Sequence, residues 1–410
     1  MSGALAAVPT GASGPHIFLV AGEESGDRLG ASLIAALKRR CPGARFSAVG
    51  GAHIAGEGAQ SLFPLGDLAI VGFAGIAASL PKILRRIRET ADAVVAARPD
   101  VLVIIDSPEF THRVAKRVRN VAPEIPIVDY VCPSVWAWRS GRARAMRIYV
   151  DHVLALLPFE PAAMQRLAGP PCTFVGHPLG ERVASLRPNA EEARRRLSEP
   201  PLLLVLPGSR AGEIRRMAQV FGDAVAKVAD RVGALEVVVP AVPRLAEIVR
   251  AAVVSWRVPV RVVSEAHEKD AAFRNARAAL SKSGTSTLEL AVAGVPMVAA
   301  YKVSLLEELI GRMFIRVPSY ILANLVLGEN VVPEFLQHHC TPEKLAGALL
   351  PLLGDTPERR SQLEAFGHLD SIMNIPHAVP SDRAAEMVLD CVGALNQPKR
   401  EVVAAMPPRA

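Results

Sequence analysis

At 410 residues the chain is longer than one ordinary hydrophobic core supports, so two domains are expected. Half of the residues are apolar and only 5% are aromatic, which favours helices packed on buried strands over a β-sandwich. A net charge of +7 suits nucleic acid, anionic lipid or a phosphorylated substrate, but no basic repeat interleaved with aromatics is present, which sets nucleic acid below the other two.

From the N-terminus, "HIFLVA" (16–21) reads as a buried strand, "GEESGD" as a turn and "RLGASLIAALKRR" as a helix with apolar residues at helical spacing. Glu24, Ser25, Gly26 and Asp27 in that turn are candidates for binding sugar hydroxyls, although turns favour these residue types in any case. The run "LAIVGFAGIAASLP" (68–81) falls short of the roughly 20 apolar residues a membrane span requires. It leads into "KILRRIRE", so two readings stand: a core segment followed by a solvated helix, or an apolar and basic surface resting on an anionic membrane face. "VLVIID" (101–106) places Asp106 at the end of an apolar strand, where a carboxylate serves as a general base or caps the helix starting near Pro108. Strands follow at "IPIVDYV", "HVLALLP" and "TFVGHP", and an arginine cluster lies at "RSGRARAMR" (139–147). Continuous apolar strands alternating with helices predict a parallel sheet covered on both faces.

Near Leu186 the texture becomes polar and Pro-flanked ("RPNAEEARRRLSEPP"), and a second strand-turn-helix series begins with "LLLVLPGSRAGEI". Domains are therefore expected at 1–185 and 186–375, with a C-terminal helix and tail at 376–410 that crosses back to the first domain by analogy with similar folds. Gly208, Ser209 and Arg210 end the first strand of the second domain, and a guanidinium there would neutralise a departing diphosphate. In "SKSGTSTLE", Ser283, Gly284, Thr285 and Ser286 would open a helix with free backbone N–H groups. Glu289, one turn deeper on the same face, is placed to accept from a ribose whose diphosphate occupies that helix end. An ordinary capped helix with a solvent-facing glutamate is the alternative.

The five cysteines form no C-x-x-C pair, which argues against a zinc set or a disulfide framework. The first 22 residues carry no Lys or Arg, unlike a secretory signal, so a cytoplasmic location is expected. D-x-D, H-E-x-x-H, G-x-x-x-x-G-K-[ST] and G-x-G-x-x-G are all absent, and neither a metal site nor a cofactor is expected.

Seven segments, "AGEESGD", "IIDSPEF", "YVCPSVWAWR", "FVGHP", "LPGSRAGEI", "SKSGTSTLE" and "LANLVLGENVVPE", occur in an order and spacing that resemble the lipid-A-disaccharide synthases, inverting glycosyltransferases. The resemblance covers nearly the whole chain and implies a GT-B fold, two Rossmann-like doubly wound α/β domains facing across a cleft. It implies transfer of 2,3-diacylglucosamine from its UDP derivative to the 6-hydroxyl of 2,3-diacylglucosamine 1-phosphate, giving a β-1,6 disaccharide and UDP. By the same resemblance Asp106 is the base, Arg210 serves the phosphates, Glu289 the ribose, and Asn324 lies near the nucleotide. Trp136 and Arg139 would lie on the donor-sugar or acceptor side. An anionic inner-membrane surface becomes the expected partner of Ile70, Val71, Phe73, Lys82, Arg85 and Arg86. This chain has Ala323 where some members carry proline, which touches neither the base nor the phosphate site. A UDP-sugar 2-epimerase of the same architecture and a non-catalytic nucleotide-sugar or lipid-binding protein are the rival expectations.

Overall fold

A computed structural model describes residues 14–68, 73–304, 308, 317–374 and 379–395. The chain forms two compact units, one ending at Gly176 and resuming at Val379, the other running His177–Ala378.

The first unit is a six-stranded parallel sheet of β1 (His16–Ala21), β2 (Arg45–Val49), β3 (Val101–Ile105), β4 (Ile127–Tyr130), β5 (His152–Ala155) and β6 (Cys172–Phe174), in the order β2-β1-β3-β4-β5-β6. Its strands are apolar on both faces because helices cover both. In β1, Ile17 and Leu19 face the helices Glu24–Arg40 and Pro380–Leu395, while Phe18 and Val20 join a core with the helices Phe73–Ala97 and Pro108–Val121. All five β3 side chains are fully buried, each contributing roughly 1.5–3 kcal/mol at this degree of burial. The Pro380–Leu395 helix packs on the first helix and on β3 and β4, and Asp382 meets Arg39 at 2.7 Å.

The second unit repeats the plan with β7 (Leu202–Leu206), β8 (Glu236–Pro240), β9 (Val260–Val263), β10 (Ala278–Lys282), β11 (Met297–Tyr301) and β12 (Glu334–Leu336), all parallel, in the order β12-β11-β10-β7-β8-β9. Renumbered from its own first strand this is 3-2-1-4-5-6, the order of dinucleotide-binding Rossmann sheets. The unit begins ahead of position 186 because the Leu179–Leu186 helix packs on the helices Ala266–Asn275 and Ser286–Val292. The polar stretch after it is helical at Ala190–Leu197, started by a capping box in which Asn189 accepts from the backbone of Glu191 and Glu192.

One local expectation is corrected. "GEESGD" is largely helix, since the first helix begins at Glu24 with Glu24 and Asp27 in its first turn, where acidic side chains favour the helix dipole. The edge strand β12 has three half-buried residues, too few for an alternation to be read.

Candidate active site

Open α/β sheets place ligands beyond the carboxyl ends of strands where the strand order reverses. In the first unit that point lies between β1 and β3, the strands that deliver the Glu24–Asp27 segment and Asp106. Asp106 and Ser107 both adopt left-handed backbone, φ 54° and 48°, a conformation costly for a side-chain-bearing residue and frequent at functional turns. The turn is held by Thr111 Oγ1 donating to the Asp106 carbonyl at 2.7 Å, and by Gly22, where any Cβ would come within 2.4 Å of Ser107 Cβ. The Asp106 carboxylate accepts from Ser25 Oγ at 2.9 Å on one oxygen and from the Ser107 N–H at 2.7 Å on the other. It stays partly exposed with lone pairs remaining, as a proton acceptor requires. Glu24 is exposed and pairs with Arg28, and Gly26 is buried in the same helix.

Asp27 is a correction. It is buried, and its oxygens accept from the backbone N–H groups of Gly51, His53 and Ile54 at 2.7, 3.0 and 3.1 Å. Its carboxylate seats the Ala52–Gly56 helix and does not reach out to a sugar. Trp136 stands edge-on to Phe159 and donates from Nε1 to Glu160 at 3.2 Å. Glu160 is buried and also accepts from the Leu156 and Leu157 N–H groups, and burial pushes its pKa up to about 7. Arg139 lies 4.3 Å over the Trp138 ring and 3.4 Å from Glu109. Sequence reading missed a buried group here: His112 bridges Asp129 and Tyr149, at 3.1 Å to each.

In the second unit the strand order reverses between β7 and β10, and a cavity of about 220 Å³ opens there. Gly208, Ser209, Arg210, Gly284, Thr285, Ser286 and Glu289 all line it, so two segments read separately in the sequence meet. Gly208 is required by its φ of 138° and because a Cβ would come 2.6 Å from Glu213 Cβ. Arg210 precedes the long Ala211–Val232 helix, and its guanidinium is 78% exposed, 3.5 Å from Glu213. Glu289 lies on the Ser286–Val292 helix, with Arg182 at 3.4 Å; Arg182 also binds Asp270 at 3.0 Å. Burial raises the Glu289 pKa, with Asp270 adding to the rise, whereas Arg182 and Lys269 oppose it.

Two further residues differ from expectation. Ser283 is buried and donates to the Tyr320 carbonyl at 2.7 Å. The buried Asn324 amide donates to Ser319 and to the Val332 carbonyl and accepts from the Val332 N–H at 2.9 Å. Both are absorbed in tying down the segment 319–332, so neither offers its side chain to the cavity. The cavity also includes Glu213 and Lys282, which stand within the quoted segments without having been singled out, and Lys269, which lies outside them.

Ile70 and Val71 lie outside the described residues, as does the side chain of Phe73. Lys82 and Arg86 both bind Asp67, and Arg86 also binds Glu89 and covers the Phe63 ring. Arg86 is thereby committed within the fold and is not a free membrane cation, whereas Arg85 is exposed. Among the described residues no cluster of three or more His, Cys, Asp or Glu is arranged to hold a metal, and no helix is long and apolar enough to cross a membrane.

Residues 17–374 match the family model described as lipid-A-disaccharide synthetase. The chain belongs to the lipid-A-disaccharide synthase family. The lipid-A-disaccharide synthase of Nitrobacter hamburgensis is 60% identical over 388 residues, covering 94% of this chain and 98% of the relative. That of Rhodopseudomonas palustris strain CGA009 is 56% identical over 391 residues, covering 95% and 99%. As a lipid-A-disaccharide synthase the chain is a glycosyltransferase of lipid A biosynthesis, and lipid A precursors are its substrates. Among solved structures it is similar in fold to a UDP-GlcNAc 2-epimerase of Neisseria meningitidis, with TM-score 0.62, 12% identity and coverage of 92% of this chain and 100% of that one. It is likewise similar to MurG of Acinetobacter baumannii, with TM-score 0.55, 14% identity and coverage of 92% and 100%. These likenesses, with the two parallel sheets, establish the GT-B fold of this lipid-A-disaccharide synthase.

Proposed function

We propose that the second unit holds the UDP of a UDP-2,3-diacylglucosamine donor and that Asp106 of the first unit deprotonates the 6-hydroxyl of 2,3-diacylglucosamine 1-phosphate. The supporting observation is the meeting of the 208–210 and 284–289 segments around one cavity at the strand-order reversal. Arg210 and the helix start at Gly284–Ser286 suit a diphosphate, and Glu289 suits the ribose hydroxyls.

In the reaction the acceptor O6 forms a bond to the anomeric carbon while the bond to the β-phosphate oxygen breaks. The electron pair stays with UDP, and the hydroxyl proton passes to Asp106. Negative charge grows on the diphosphate as it leaves, so cationic side chains there bind the transition state more strongly than the ground state. Attack opposite the leaving group inverts the anomeric centre. Ser25 and the Ser107 N–H each donate to the carboxylate and hold it in place.

The donor and acceptor carry acyl chains, and we assign membrane docking to the outer face of the Phe73–Ala97 helix. That face exposes Leu80, Leu84, Arg85 and Arg88 while Ile87, Ala91 and Val94 are buried.

Incubation with the two lipid substrates should yield UDP and disaccharide from the native chain. Asp106→Asn should lower turnover by roughly 10²-fold or more with UDP affinity nearly unchanged. Native turnover in that variant would remove Asp106 from the mechanism.

A further inference from the structure

We propose that Lys282 is a further catalytic residue, the cation that meets the β-phosphate of the departing nucleoside diphosphate. The inference rests on the reading that this diphosphate occupies the second-unit cavity.

Lys282 is the last residue of β10, and it lines the cavity with Ser209, Arg210 and Thr285. Its ammonium is fixed from two sides. Glu213 Oε1 lies 3.1 Å away and the Tyr301 ring centroid 4.4 Å, and the side chain is only 16% exposed. Gly284 leaves room beside it, since even a Cβ there would stand 3.5 Å from Nζ. Arg210, by contrast, extends largely into solvent and must be ordered before it contributes. A cation already in position needs little reorganisation when charge develops, the condition under which electrostatic stabilisation is most effective.

Glu213 explains how a lysine is held ready without a ligand. It is buried, and its second oxygen accepts from the Ser209 N–H at 3.0 Å. Its first oxygen has no hydrogen bond among the described residues, only the ion pairs with Lys282 and Arg210. Three cationic side chains (Arg210, Lys269, Lys282) and two anionic ones (Glu213, Glu289) line the cavity, leaving one positive charge in excess. A leaving diphosphate carries more negative charge than the single Glu213 carboxylate and draws the ammonium toward itself. As the anomeric C–O bond breaks, its electron pair passes to the β-phosphate oxygen. Lys282 stays protonated and donates a hydrogen bond there, while the acceptor proton goes to Asp106.

The test uses the full-length chain and measures UDP affinity, uridine affinity and turnover. Lys282→Met should weaken UDP binding by roughly 10- to 100-fold, leave uridine binding unchanged and lower turnover. Lys282→Arg should restore most of both. The pair Lys282→Met with Glu213→Gln removes the unbalanced buried carboxylate, and the loss of UDP affinity should persist in it. Three results would overturn the proposal: unchanged UDP affinity in Lys282→Met, equal loss of uridine and UDP affinity, or native UDP affinity in the paired variant, which makes Lys282 only the counter-charge of Glu213. Glu289→Gln serves as the separate arm. If it weakens uridine while Lys282→Met leaves UDP untouched, the nucleotide site stands and the Lys282 role falls. If it changes neither ligand, the nucleotide reading itself fails.

Discussion

Glu289 is subject to opposing influences that make its behaviour testable. Burial and Asp270 favour its neutral form, while Arg182 from the Leu179–Leu186 helix and Lys269 from the neighbouring helix favour the carboxylate. Of the other charged side chains lining the cavity, Arg210 and Lys282 are both paired with Glu213. Only the ionised form accepts from two ribose hydroxyls at once, so uridine affinity should decline as pH falls through the pKa of Glu289. Arg182→Gln removes a stabiliser of the charged form and raises that pKa, so the decline should begin at higher pH than in the native chain. Uridine is the proper ligand because its titration is not mixed with that of a phosphate. Coincident pH profiles would show that Arg182 does not tune Glu289. The placements legible in the sequence were local ones: Asp106 at a strand end, Gly208 and Ser209 in one turn, Gly284 in the other, and Glu289 a turn behind Thr285. The pairings of Lys282 with Glu213 and of Arg182 with Glu289 were not legible, because the partners stand 69 and 107 positions apart in the chain. Asp27 and Asn324 misled for the converse reason, since a polar side chain in a motif looks the same whether it faces a ligand or a backbone N–H.

The helices around the cavity depend on a clamp that no periodicity announces. Arg196 is buried and donates to the carbonyls of Phe273, Arg274, Ala293 and Gly294, closing the C-terminal ends of the helices Ala266–Asn275 and Ser286–Val292 together. Burial, with Arg359 nearby, lowers its pKa to about 10, so it remains charged at neutral pH. Arg196→Met should leave those carbonyls without their donor and destabilise the second unit by about 3 kcal/mol or more, read by denaturant unfolding. A change below about 0.5 kcal/mol would mean that water replaces the guanidinium at little cost. β1, β3, β4, β5 and β7 were legible as apolar runs, because strands buried on both faces carry a signal that composition alone supplies. β12 was not, being three residues long at an edge. The start of the first helix was also misplaced, since Gly26 and the acidic residues around it are turn formers that here begin a helix against β3.

At the scale of the whole molecule, the sequence pattern anticipated two tandem α/β units, and the seven ordered segments pointed to the family that the comparisons establish. The first division lies at Gly176, because the helix at Leu179–Leu186 packs within the second unit, a pairing invisible in local texture. Membrane docking belongs to this scale as well. Replacing Leu84 with serine and Arg85 and Arg88 with glutamate should reduce co-sedimentation with phosphatidylglycerol vesicles by roughly tenfold or more, since each basic residue near an anionic surface contributes about 1 kcal/mol. Undiminished binding would remove this helix face from the account. The central claim is that the second-unit cavity holds the UDP moiety of the donor, and a crystal structure of the chain with UDP tests it most directly. The account predicts the diphosphate against Ser209, Arg210 and Thr285 with the ribose at Glu289; UDP lodged elsewhere on the chain would contradict it.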